Sequence, residues 1–72
     1  MQYSNLRFFL GKRITEIREK KGMSVEELAA RADLQPGHIR RIEMGKYKYD
    51  VDILAQIALA LGVSLDFVEY QE

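Results

Sequence analysis

The sequence has no cysteine and no tryptophan, and only one proline and one histidine. Without cysteine there is no disulfide and no thiolate metal site, and one histidine cannot build a metal centre by itself. The absence of cysteine also fits a reducing compartment. No apolar run approaches the roughly 20 residues of a membrane span, and residues 1–10 lack the basic stretch and apolar run of a secretory leader. A soluble, cytoplasmic protein is expected. Catalytic signatures are missing as well. There is no glycine-rich phosphate loop, no serine or cysteine nucleophile near the lone His38, and the adjacent Glu26 and Glu27 do not converge on one substrate. An enzyme is not expected, nor a cofactor. The 72 residues suffice for one domain, residues 1–72. So short a chain buries only about 60% of its unfolded surface. With disulfides and metals excluded, regular helix packing or a partner subunit must supply the rest.

Net charge is absent too: eleven basic side chains balance eleven acidic ones. That alone speaks against a polyanionic partner, but the distribution does not. Every Lys and Arg lies at or before Lys48, where eleven basic groups face six acidic ones, a balance of +5. Residues 49–72 carry five acidic groups and no basic one. Two readings stand: solvated helix faces with chance asymmetry, or one end of the molecule built to meet polyanion.

What is present is helical periodicity. Leu6, Leu10, Ile14 and Ile17 recur at spacings of three and four, with Phe9 beside them, which predicts a helix over 5–21 capped by Ser4 or Asn5. Phe8 falls on the opposite side. Ser24-Val25-Glu26-Glu27 is a capping box that opens a second helix, with Val25, Leu28, Ala29 and Ala32 as its buried face. Pro36 suits the first position of a short third helix over 36–44, with Ile39 and Ile42 inward and Gly45 as its stop. Residues 46–49 form a loop. A fourth helix starts near Asp50 and ends at Leu61, with Leu54, Ile57, Ala58 and Leu61 as its core stripe. Residues 63–72 fit either a short fifth helix capped by Ser64 or an extended strand, slightly favoured by the cluster of Phe67, Val68 and Tyr70. A lone strand needs a partner strand, such as one from a second copy across a two-fold axis.

Two helices joined by a tight turn at residues 33–35 suggest a scaffold helix and a helix that lies in the DNA major groove. Several segments in order then carry a resemblance. These are Leu10-Gly11-Lys12-Arg13-Ile14, Ile17-Arg18-Glu19-Lys20-Lys21-Gly22, Ser24-Val25-Glu26-Glu27-Leu28-Ala29, Ile39-Arg40-Arg41-Ile42-Glu43-Met44-Gly45-Lys46, Leu54 to Ile57-Ala58, and Leu61-Gly62-Val63-Ser64-Leu65-Asp66. Together they resemble the Cro/phage-repressor-type (XRE) helix-turn-helix family over roughly residues 9–67. The resemblance implies an all-α, lambda-repressor-like bundle of four to five helices, with the helix-turn-helix at about 24–44. A short C-terminal β-strand in the tail, 63–72, is an added option at a dimer interface.

The resemblance also implies roles. Arg18 and Glu43 match the positions of an ion pair between the first helix and the end of the recognition helix. Ser24 matches a helix N-terminus that meets a DNA phosphate, beside its plain reading as a cap. Base-reading candidates are His38, Arg40 and Arg41, with Gly37 and Met44 on the same outward face; arginine suits guanine O6 and N7. The alternative is that both arginines are solvated or touch only phosphate. Lys46, Tyr47, Lys48 and Tyr49 are phosphate candidates, although the tyrosines can equally cover the core. The chain departs from the family pattern at Val25, where glutamine is common, and at Pro36 and Gly37, which have no side-chain donor.

The expected function is a sequence-specific DNA-binding transcription regulator, a repressor acting as a homodimer. Two alternatives stand beside it. One is an antitoxin-like or accessory subunit that binds a protein partner, suggested by Phe8 and the acidic Phe67-Val68-Glu69-Tyr70 tail. The other is an interaction module without DNA binding, suggested by Val25, Pro36, Gly37 and the zero net charge.

Overall fold

The structure, a computed structural model, describes residues 3–46 and 50–64. Four helices follow one another: α1 (Tyr3–Lys20), α2 (Val25–Ala32), α3 (Pro36–Glu43) and α4 (Val51–Leu61). Among the described residues there is no strand, and the class is all-α. The choice between helix and strand for residues 63–72 lies, from Leu65 onward, outside the described residues, as do Tyr47, Lys48 and Tyr49.

One boundary differs from the sequence reading. Ser4 and Asn5 lie inside α1, which already begins at Tyr3, so neither is its cap. A capping preference of about 1 kcal/mol is small enough for an extra helical turn to override. The other starts follow their local chemistry. Ser24 caps α2 in a complete capping box: its Oγ accepts the Glu27 N–H at 3.0 Å, and its own N–H donates to Glu27 Oε1 at 3.1 Å. Asp50 caps α4, accepting the Ile53 N–H at 2.9 Å. Gln35 gives α3 no side-chain cap. Pro36 at the first position lessens the need, because it has no N–H to satisfy.

All four helices close on a left-handed residue. Three are Gly22, Gly45 and Gly62; the fourth, ending α2, is Asp33 with φ of 60°. There the Leu34 N–H reaches back to the Ala29 carbonyl at 2.9 Å and the Asp33 N–H to the Ala30 carbonyl at 3.3 Å. This pairing satisfies the last carbonyls and turns Leu34 onto the core.

The core holds the predicted stripes. Ile14, Leu28, Ile39, Ile42 and Ile57 are fully buried, with Met23, Ala29, Ala58 and Leu61 around them. No polar or charged residue is buried among those described. Leu10 is buried, and Leu6, Ile17 and Leu54 are half-buried. Alanines at 29, 32 and 58 let α2 and α4 approach, and Gln56 Nε2 of α4 donates to the Ala32 carbonyl at 2.9 Å. No described helix is long and apolar enough to cross a membrane.

Gly11 sets the approach of α1 to α3. A Cβ there would stand 2.3 Å from the Ile42 carbonyl oxygen and 2.7 Å from that of Glu43. Both are backbone atoms, so no side-chain rotation can relieve the clash. Gly11→Ala is therefore expected to force the two helices apart and cost at least about 2 kcal/mol. Asp33→Gly removes the strain of a left-handed β-carbon and is expected to raise stability by about 1 kcal/mol. Urea denaturation of the two variants beside the parent checks both signs.

Candidate nucleic-acid interface

The α2–turn–α3 unit presents its surface because α3 has two chemically distinct sides. Ile39 and Ile42 are anchored in the core. At spacings of three, four and seven, Gly37, Arg40, Arg41 and Met44 share the opposite, exposed side. His38 lies on the flank and is half-buried, so it contributes less to that side than the sequence reading expected. Nothing stands within 4 Å of the position a Gly37 Cβ would take, which leaves open space over the first turn of α3.

The phosphate candidates among the described residues lie at helix ends. Ser24 is exposed at the start of α2. Its oxygen accepts within the capping box, so its hydroxyl hydrogen is still able to donate to a phosphate; the two readings of Ser24 are compatible. Lys46 is exposed just beyond α3. Tyr47, Lys48 and Tyr49 lie outside the described residues.

The orientation of α3 is held by Arg18 and Glu43. Arg18 Nε donates to Glu43 Oε2 at 2.7 Å and Nη2 donates to Oε1 at 3.2 Å, a forked pair with both side chains only 10–12% exposed. Arg18 Nη1 donates to the Met23 carbonyl at 2.9 Å, tying the end of α1 to the entrance of α2. The hydrogen bond to Glu43 holds the guanidinium above its ordinary range, against the opposing effect of burial. An arginine pKa raised on folding stabilises the fold fully below its unfolded value. The contribution is therefore constant through neutral and acidic pH as far as Arg18 is concerned, and would fade only in strong base.

Two features escaped the sequence reading. Arg40 Nη2 donates to the Glu26 carboxylate across the gap between α2 and α3. No local pattern links residues 14 apart on different helices. The second is the Gly11 contact, for which a signal existed: a glycine inside a helical stripe marks close packing.

The fold and this surface define a helix-turn-helix protein. The helix-turn-helix family matches residues 14–68, and the chain belongs to that family. Solved structures agree. The restriction-modification controller protein C.AhdI from Aeromonas hydrophila shares 25% identity at a TM-score of 0.85, over 88% of this chain and 96% of the controller. The clp gene regulator ClgR from Corynebacterium glutamicum shares 33% identity at 0.83, over 88% of this chain and 82% or 67% of the ClgR chain in its two structures. A hypothetical transcription factor, NHTF, from Neisseria shares 26% identity at 0.84, over 94% and 78%. No curated protein matches the chain significantly.

Arg18→Ala leaves the Glu43 carboxylate poorly solvated beside the C-terminal end of α3, whose dipole it opposes. A loss of about 3 kcal/mol is expected. Glu43→Ala should cost a similar amount, and the double variant less than the sum of the two. A double-mutant cycle by thermal or urea unfolding reads this directly.

Proposed function

We propose that this chain, a helix-turn-helix DNA-binding regulator, acts as a homodimeric, sequence-specific repressor that reads the major groove with the outward face of α3. The observation that carries this reading is the exposed set Gly37, Arg40, Arg41 and Met44 on a helix anchored by two buried isoleucines. A helix is about 10–12 Å across with its side chains, which matches the width of the major groove. Arg40 and Arg41 supply forked donors for guanine, Met44 an apolar contact, and Gly37 room for close backbone approach. Ser24 and Lys46 flank the face as phosphate contacts, with Tyr47, Lys48 and Tyr49 proposed to extend that set. The three related structures, a controller, a gene regulator and a hypothetical transcription factor by name, support the same reading. A DNA ligand also implies a cytoplasmic location.

The proposed dimer draws support from α4. This helix is apolar almost all round, and Val51, Ala55 and Leu59 share its exposed side, with Val51 70% and Leu59 84% exposed. A helix of that composition is ordinarily covered on both sides. A second copy covers it best, because a chain this small gains most from added burial. Residues 63–72 are proposed to join the same interface. The two recognition helices then meet half-sites about 34–36 Å apart, one turn of the duplex.

Selection of bound duplexes from a random pool tests the whole reading. The expected result is an enriched palindrome, with affinity falling steeply as salt rises because phosphate contacts release counterions. Arg40→Ala with Arg41→Ala should abolish the preference at a guanine position while leaving the melting temperature within a few degrees of the parent. No enrichment at any salt concentration would defeat the reading. For the dimer, Leu59→Glu should yield folded monomers by analytical ultracentrifugation; an unchanged mass distribution would reject α4 as the interface.

A further inference from the structure

We infer that Glu26 is a specificity-determining residue: its carboxylate holds the Arg40 guanidinium over the outward face of α3 and disfavours any duplex on which Arg40 finds no guanine edge. The inference rests on the DNA-binding reading above.

The pair joins two helices at the surface proposed to meet DNA. Glu26 favours the start of α2 as a first-turn acid, but that does not require the contact with Arg40. The side chains of the pair are 53% and 62% exposed, and ion pairs so exposed add little to folding. The capping box of α2 is completed by Glu27, not Glu26. A carboxylate is also a poor choice for this surface if charge were the only concern. It stands two residues beyond Ser24, at the end of α2 proposed to meet phosphate, and phosphate repels it.

The same charge becomes useful as a constraint on Arg40. A guanidinium has five N–H groups. One is engaged with Glu26, and four remain, enough for the forked contact to guanine O6 and N7. Attraction to phosphate depends chiefly on charge, and the carboxylate offsets the charge of Arg40. Attraction to guanine depends on a fixed fork, and the carboxylate helps fix it. If Arg40 swings away to a phosphate, Glu26 loses its cation and faces the negatively charged duplex alone. That state is penalised, and the penalty falls on wrong sequences more than on right ones.

The test uses the 72-residue chain, its best selected duplex and an unrelated duplex of equal length, at two salt concentrations. Glu26→Ala is expected to raise affinity for the unrelated duplex several-fold and to lower the ratio of specific to non-specific affinity by about tenfold, with the loss concentrated at a guanine. Glu26→Gln keeps an oxygen that accepts the Arg40 N–H. It should raise non-specific affinity similarly and retain most of the guanine preference. On an Arg40→Ala background, Glu26→Ala should leave base preference unchanged. Circular dichroism melts confirm that each variant is folded at the assay temperature. Equal gains on both duplexes with Glu26→Ala would reduce Glu26 to a charge screen and overturn the inference, as would no change. Identical base preferences for Glu26→Ala and Glu26→Gln would also overturn it. A parent protein with no preferred duplex would instead remove the DNA-binding reading itself.

Discussion

Arg18 uses three of its N–H groups at once: two on the Glu43 carboxylate and one on the Met23 carbonyl. Through them the end of α1 is tied both to the end of α3 and to the chain entering α2. The energetics explain why the arrangement is rigid. Glu43 sits in the last turn of a helix, where a negative charge is unfavourable, and is largely removed from water. Only a matched cation in forked geometry makes that position tolerable. The pair is thus less a source of net stability than a condition on where α3 can lie.

The remaining contacts of α3 work within that condition. At the same C-terminal end, Gly11 lets the α1 backbone approach the carbonyls of Ile42 and Glu43. At its start, the left-handed Asp33 and the fixed φ of Pro36 direct the chain out of the turn. Beneath it, Ile39 and Ile42 fill the core. With contacts at both ends and in the middle, rocking of α3 would disturb a backbone contact or strand a charge. A surface that is rigid before it meets its ligand loses little conformational entropy on binding. That suits the proposed role of α3, which is to hold a few side chains at base-edge distance.

The sides of the molecule differ in kind. Around α2 and α3 many of the exposed groups are ionic, among them Glu26, Glu27, Arg31, Arg40 and Arg41. On α4 the exposed groups are mostly apolar, interrupted by Asp52. The excess of positive charge before residue 49 and of negative charge after it follows the same division along the chain. Two surfaces of such different chemistry suit two different occupants, a polyanion at one and a second apolar surface at the other.

Most of the fold was legible without coordinates because it is written in local rules. The Leu10, Ile14 and Leu61 stripes need only helical spacing, the Ser24–Glu27 box spans four residues, and Gly22, Gly45 and Gly62 mark helix ends one at a time. The site was legible in part. Arg40 and Arg41 could be placed outward from the spacing of Ile39 and Ile42, but the half-buried flank position of His38 could not. Arg18 and Glu43 could be matched only through family likeness, since 25 residues separate them. Apart from the start of α1, the sequence by itself determined where helices begin and end and which side of each faces inward, because periodicity and capping act within a turn or two of chain. Only the tertiary structure decided which charge meets which. Glu26 reaches Arg40, and Arg18 reaches Glu43 and the Met23 carbonyl, because the crossing of helices brings together groups that no local interaction connects.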